Sequence, residues 1–314
     1  MTDSNKTIAL LFPGQGSQSI GMGKDLAEKY PIARQTFAEA DEALGYKLSQ
    51  VCFEGPEDQL RLTEITQPAI LTVSVAALRV LEARTPKPAF VAGHSLGEYS
   101  AHVAAGTFAF ADALRTVRNR GKYMQEAVPV GVGAMAAILG MDFDSVAAVC
   151  RDAAQGEVCE PANINSPEQI VISGNTAAVE RATKLADERG AKRAKLLPVS
   201  APFHCSLMQP AQYRLEADLN ALKMQKPAYP VTCNVEAAFV TDELRTRDTL
   251  VRQVTGSVKW EQCMRLLIAQ NVETLIEVGP GRVLCGLMRQ IDRTRTCVNV
   301  SDDASLTKAL EQLS

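Results

Sequence analysis

The stretch Ala89-Phe90-Val91-Ala92-Gly93-His94-Ser95-Leu96-Gly97-Glu98-Tyr99-Ser100-Ala101-His102 decides the fold. Its first four residues suit a buried strand and the residues after Gly97 read as a helix, so Gly93-His94-Ser95-Leu96-Gly97 falls on the turn between them. That is the form of a nucleophile elbow. A serine sits on a strained strand-to-helix turn, glycines on both flanks allow close backbone approach, and the following N–H groups face an oxyanion. The implied chemistry is acyl transfer through an acyl-serine. An ordinary turn with a capping serine would use similar residues, so the partners of the serine must come from elsewhere in the chain.

The chain has 314 residues, 46% hydrophobic and 22% charged, enough for one large core or for a large core with a small satellite domain. A net charge of −3 argues against a nucleic-acid binder, and no run of like charge marks a tail or a membrane patch. The N-terminal stretch Met1-Thr2-Asp3-Ser4-Asn5-Lys6 precedes an apolar run over residues 8–12, only a strand long, so no signal peptide is expected. The apolar stretch over residues 69–81 is interrupted by Ser74 and Arg79 and falls short of a membrane span. These features predict a soluble, cytoplasmic protein. The eight cysteines (Cys52, Cys150, Cys159, Cys205, Cys233, Cys263, Cys285 and Cys297) contain no C-x-x-C pair, so neither disulfides nor a zinc or other metal site is expected.

Residues 7–12 read as a buried strand that runs into Pro13-Gly14-Gln15-Gly16-Ser17-Gln18-Ser19. This is not a dinucleotide fingerprint, because Ser19 replaces the third glycine, and no Walker lysine follows. Helical patterns cover residues 25–43 and 69–81. Further strands are predicted at 229–234, 274–278 and 296–300, with helices between them, which indicates an α/β parallel sheet. Between these halves the order is strand 133–139, helix 144–154, weak strand 158–164, strand 169–173, helix 177–189 and strand 194–199. That β-α-β-β-α-β order is the split ferredoxin-like unit. The predicted organisation is therefore an α/β core domain, residues 1–128 and 200–314, carrying the elbow, with a ferredoxin-like domain, residues 129–199, inserted in it. A cleft between the two is a natural substrate site.

A serine hydroxyl is a poor nucleophile until a base takes its proton, and histidine is the usual base. The chain has three histidines. His94 adjoins the serine, but neighbours at a strand end point to opposite faces. His102 lies seven residues on, about 10.5 Å along a helix axis. His204 remains, in Ser200-Ala201-Pro202-Phe203-His204-Cys205, where the chain re-enters the core. No histidine follows it, unlike the late histidine of an α/β-hydrolase, so a familiar triad acid is not expected to orient this imidazole. On residues 114–124, Leu114, Val117, Gly121 and Met124 form an apolar helical stripe flanked by Arg118 and Arg120. An arginine there suits a carboxylate, bound through its planar fork, or a structural salt bridge, and spacing alone does not choose between the two arginines.

With these residues in place, the chain resembles the malonyl-CoA:acyl-carrier-protein transacylase family, the acyltransferases of type II fatty-acid synthesis. The resemblance runs nearly end to end. It rests on Phe12-Pro13-Gly14-Gln15-Gly16-Ser17-Gln18, residues 93–101, Arg120-Gly121-Lys122-Tyr123-Met124-Gln125-Glu126-Ala127, Pro161-Ala162-Asn163-Ile164-Asn165-Ser166-Pro167, residues 200–204 and Glu277-Val278-Gly279-Pro280-Gly281. It implies an α/β-hydrolase-like core in which Ser95 is acylated and His204 is its base. The backbone amides of Gln15 and Leu96 would form the oxyanion hole, and Arg120 would hold the free malonyl carboxylate. Gln253 would support the histidine in place of a triad acid, and His94 would be a wall of the site. Phe203 resembles the malonyl-selective pattern of related polyketide acyltransferases, while His102 departs from the apolar residue expected there. The implied substrate is malonyl-CoA, with no bound cofactor, and the implied partner is phosphopantetheinylated acyl carrier protein. Such carriers are acidic, which makes Lys192, Arg193 and Lys195, on the last strand of the inserted domain, candidate contacts. A monomer suffices. The alternatives are a serine thioesterase or esterase, an acyltransferase of a polyketide pathway, and a catalytically idle carrier-docking module.

Overall fold

The computed structural model describes residues 7–199 and 201–313, so Ser200 of the histidine motif and the N-terminal six residues lie outside the described residues. Its strands are β1 (Ile8–Phe12), β2 (Phe90–Gly93), β3 (Gly133–Leu139), β4 (Cys159–Ser166), β5 (Gln169–Asn175), β6 (Arg193–Leu196), β7 (Val231–Cys233), β8 (Ala238–Val240), β9 (Thr274–Val278) and β10 (Thr296–Val300). The larger sheet has the order β10-β9-β1-β2-β7-β8, and every pair is parallel except β7–β8. All five residues of β1 and of β9 are buried, as expected for interior strands of a parallel sheet covered on both faces.

The topology itself locates a site. From β1 the chain continues to β2 on one side and returns to β9 on the other, so the connections diverge at the carboxyl end of β1. Crevices at such switch points are where open α/β sheets bind ligands. The Pro13–Ser17 turn leaves β1 there, and the Ser95 turn leaves β2 beside it, with Phe12 paired to Gly93.

The inserted segment forms a separate antiparallel sheet of order β4-β5-β3-β6, which is the ferredoxin-like arrangement. Helices Phe143–Ala154 and Thr176–Glu188 pack on one face, where Ile138, Ile170, Ile172, Val146, Val149 and Val179 make a core of their own. On the other face Met135, Ala162 and Val171 join the core of the larger body. A backbone bridge adds to this contact: Val258 N donates to Ala162 O at 2.8 Å and Ile164 N donates to Val258 O at 2.9 Å.

Three elements differ from the sequence expectation for physical reasons. The pattern over 25–43 is two helices, Lys24–Lys29 and Pro31–Leu44, because Pro31 has no N–H to donate back and suits a helix's first turn. The helix expected over 69–81 begins at Thr63 and continues through Pro68 to Glu82. By length and composition that helix could cross a membrane, but nearly all of it is buried within the fold, so it is the core helix of the sheet's flank. Strand β8, three residues long and antiparallel at the sheet edge, has too short a pattern to be read from sequence.

Candidate active site

The elbow is held by close packing. A Cβ on Gly93 would lie 1.9 Å from the carbonyl of Gly97, and one on Gly97 would lie 2.0 Å from Phe12 O, so only glycine fits at both flanks. Ser95 between them takes φ 51°, in the left-handed region that an L side chain rarely adopts. Asn234, which follows β7, clamps this turn: its Oδ1 accepts from Ser95 N at 2.7 Å and its Nδ2 donates to Gly93 O at 2.8 Å. Helix Gly97–Ala104 then starts under the serine, with Gly97 N and Glu98 N donating to His94 O and Ser95 O.

His204 reaches Ser95 as elimination predicts. Its Nε2 lies 2.7 Å from Ser95 Oγ, and its Nδ1 lies 2.9 Å from the backbone carbonyl of Gln253. A carbonyl only accepts, so Nδ1 carries the proton and Nε2 is left to accept from the serine hydroxyl. His204 is itself held at φ 60° and is buried. Burial, and after it the positive charge of Arg120, push its pKa down to about 3.

Arg120 settles the choice that spacing leaves open. Arg118 lies over the Tyr46 ring and donates to Leu44 O at 3.4 Å, whereas Arg120 points into the site with 1% of its surface exposed. Gly121 lets its helix, Phe110–Glu126, approach the helix Thr63–Glu82, since a Cβ there would lie 2.6 Å from Thr63 O. The guanidinium donates through Nη1 to Gln67 Oε1 at 2.8 Å, and through Nη2 to Gln253 Oε1 at 3.0 Å and Ser95 Oγ at 3.2 Å. All three acceptors are neutral, and Nε has no partner within the described residues. Burial lowers the arginine's pKa, but a guanidinium remains charged at neutral pH. The result is a buried cation beside the serine with neutral partners only.

The remaining candidates fall into place around this centre. Gly14 packs against the elbow, its would-be Cβ 2.4 Å from His94 O, so Gln15 directly follows a residue in contact with the turn that carries Leu96. His94 faces away from Ser95: its Nε2 bonds Asn165 Oδ1 at 2.8 Å and its ring packs on Trp260. His102 is fully buried, bonded through Nδ1 to Thr107 at 3.0 Å and pushed down to about 3 by burial, with no contact to the site's hydrogen bonds. Lys192 precedes β6 rather than lying on it and is ion-paired with Glu168 at 2.6 Å, while Arg193 and Lys195 lie exposed on the edge strand. Sequence reasoning missed Gln67, Asn234 and Glu98. Glu98 alone had a signal, a charged residue directly after the elbow at the start of a helix that is otherwise mostly buried. Gln253 differs in detail: it is the backbone carbonyl that supports the histidine, and the side chain reaches Arg120.

Residues 9–307 match the acyl transferase domain family. The chain is 50% identical over 305 residues to the malonyl CoA-acyl carrier protein transacylase of Escherichia coli K12, covering 97% of this chain and 99% of that protein. The transacylase of that name from Bacillus subtilis 168 is 48% identical over 307 residues, covering 98% of this chain and 97% of that protein. The chain belongs to the malonyl CoA-acyl carrier protein transacylase family. It is an acyltransferase, so neither an esterase nor an idle docking module is favoured. Among solved structures, the Coxiella burnetii transacylase superposes with a TM-score of 0.97 at 42% identity, covering 98% of both chains. A malonyl-transacylase solved in complex with a type II polyketide acyl-carrier protein superposes with a TM-score of 0.95 at 46% identity, covering 98% of this chain and 99% of that one. These likenesses accord with the parallel core and separate antiparallel sheet of this acyltransferase.

Proposed function

We propose that this acyltransferase moves a malonyl group from malonyl-CoA to the phosphopantetheine thiol of an acyl carrier protein, supplying fatty-acid elongation in the cytoplasm. The observation that carries this reading is the buried guanidinium of Arg120, 3.2 Å from Ser95 Oγ, which makes no hydrogen bond to a carboxylate. A buried cation without a directly paired carboxylate is costly, and a carboxylate on the substrate offsets that cost where an acetyl group cannot.

The steps follow from the geometry. Ser95 Oγ attacks the thioester carbonyl as its proton passes to His204 Nε2, 2.7 Å away. The Gln15 and Leu96 amides receive the oxyanion. The tetrahedral intermediate collapses, the C–S bond breaks, and the proton on His204 leaves with coenzyme A as its thiol. The carrier thiol then gives its proton to His204, attacks the malonyl-serine ester and releases Ser95 with its proton returned. A base held near 3 is weak in the empty site, and the Arg120 charge is one cause. Pairing of Arg120 with the malonyl carboxylate removes that charge's influence, so the correct substrate raises the basicity of the histidine that must act on it. All these groups belong to one chain, so a monomer suffices, and acyl-serine chemistry needs no resident cofactor. Arg193 and Lys195 offer an acidic carrier two positive charges at the edge of the small sheet.

The test is to follow coenzyme A release from malonyl-CoA with and without phosphopantetheinylated carrier, identifying the product by mass. Transfer predicts release that depends on the carrier and yields malonyl-carrier. Carrier-independent release with free malonate would contradict it.

A further inference from the structure

Glu98 is fully buried beneath the elbow, and the steps above give it no task. Its Oε2 accepts from Gln253 Nε2 at 2.7 Å and from Asn234 N at 3.0 Å, while Oε1 has no partner within the described residues. Its two partners are the residues that hold everything else. Asn234 fixes Ser95 N and Gly93 O. Gln253 takes His204 on its backbone carbonyl, Arg120 Nη2 on its Oε1, and donates to Ser95 O at 3.1 Å.

We propose that Glu98 is a positioning residue of the acyl-transfer site: its carboxylate orients the Gln253 side chain and the Asn234 main chain, and through them the histidine, the arginine and the elbow. The inference rests on the acyl-serine reading above. A carboxamide is nearly symmetric in shape, and its neighbours decide which end is oxygen. An ionised carboxylate only accepts, so it forces Nε2 of Gln253 toward itself and Oε1 toward Arg120, which only donates. A carboxamide at residue 98 replaces the charged acceptor by a neutral one and brings an NH2 donor that neither Gln253 Nε2 nor Asn234 N can accept from, so the hold on Gln253 weakens and the loop whose carbonyl aligns His204 loosens. Serine hydrolases usually place an acid directly against the histidine. Here the acid acts at one remove.

The groups facing Glu98 are Tyr99 beside it, Arg120, the Asn234 and Gln253 amides, and the thiols of Cys233 and Cys263. Burial raises the Glu98 carboxyl to about 7, so it changes charge across the neutral range, and the comparison with a variant at this position separates its titration from that of His204. Ionisation supplies the acceptor, so acylation speeds up as pH rises through that value.

The test measures the single-turnover rate of Ser95 acylation by malonyl-CoA from about pH 5.5 to about pH 8.5 in wild type and in Glu98→Gln. Wild type is expected to lose rate below about pH 7, and Glu98→Gln to be at least about tenfold slower at high pH with a flat profile and little change in substrate affinity. A Glu98→Gln variant within about twofold of wild type and keeping its acid limb overturns the proposal. Should that variant not fold, Glu98→Asp, whose shorter side chain falls short of Gln253, takes its place: acylation at least about tenfold slower with little change in substrate affinity sustains the proposal, and a rate within about twofold of wild type overturns it. A wild type that forms no acyl-serine at all sinks the underlying reading instead, and this proposal with it.

Discussion

Replacing Arg120 by alanine removes a guanidinium whose nitrogens lie 2.8 Å from Gln67, 3.0 Å from Gln253 and 3.2 Å from Ser95 Oγ. If this group binds the malonyl carboxylate, the lost interaction is a pair of charge-assisted hydrogen bonds, each of about 1.5–3 kcal/mol. The sum of about 3–6 kcal/mol corresponds to a fall of about 10²–10⁴ in kcat/KM for malonyl-CoA. Acetyl-CoA, which has no carboxylate to lose, should react within about threefold of its wild-type rate, or faster, because removing the cation leaves His204 more basic. The substitution also leaves the Gln67 and Gln253 oxygens without their donor and opens a cavity, so unfolding is followed in parallel and both substrates are assayed well below the midpoint. The assay is initial-rate release of coenzyme A from each thioester. If the two substrates lose activity by the same factor, Arg120 is a structural residue and the carboxylate argument fails.

Three other outcomes follow from the geometry. Gly93→Ala or Gly97→Ala places a Cβ within 1.9–2.0 Å of backbone atoms, and either variant should be poorly folded or lack acylation, as read by soluble yield and thermal unfolding. His102 binds its proton at about 3 when folded and near 6.5 when unfolded, so the unfolded chain holds more protons between these values, and the histidine's stabilising share is lost as pH falls through that window. His102→Leu should therefore flatten the dependence of unfolding free energy on pH by up to about 1.4 kcal/mol per unit near pH 5, with malonyl transfer at neutral pH unchanged, as measured by denaturant titration. The double change Arg193→Glu and Lys195→Glu should raise KM for an acidic carrier several-fold, with the rate of Ser95 malonylation unaffected, and equal losses in both half-reactions would remove these residues from the carrier surface.

The parts of this protein that could be read from sequence are those encoded locally. The elbow needs two glycines at fixed spacing with a strand before and a helix after, a local pattern, and the close approach at Gly93 is to Gly97 itself, although that at Gly97 is to distant Phe12. Strands β3, β9 and β10 have the residues that the patterns between their flanking turns predict, and β9 is buried along its whole length. His204 could be found only because the chain has so few histidines to eliminate. What escaped is contributed by distant segments. Gln67 lies on a core helix whose first turn falls before Pro68, where a sequence reading stops. Asn234 has ordinary turn chemistry and gains its role when β7 docks beside β2. Periodicity places Arg118 and Arg120 alike, and the choice is made by Tyr46 and Leu44 on one side and Gln67 and Gln253 on the other, none of them near in sequence.

The central claim is that malonyl passes through Ser95, and intact-protein mass spectrometry tests it most directly. Wild type and Ser95→Ala are mixed briefly with malonyl-CoA, quenched in acid and weighed, and holo carrier protein is then added to a second portion. The account predicts a single malonyl adduct on wild type, none on Ser95→Ala, and loss of the adduct from the enzyme with matching gain by the carrier. An adduct that survives in Ser95→Ala, or one that never moves to the carrier, would contradict it.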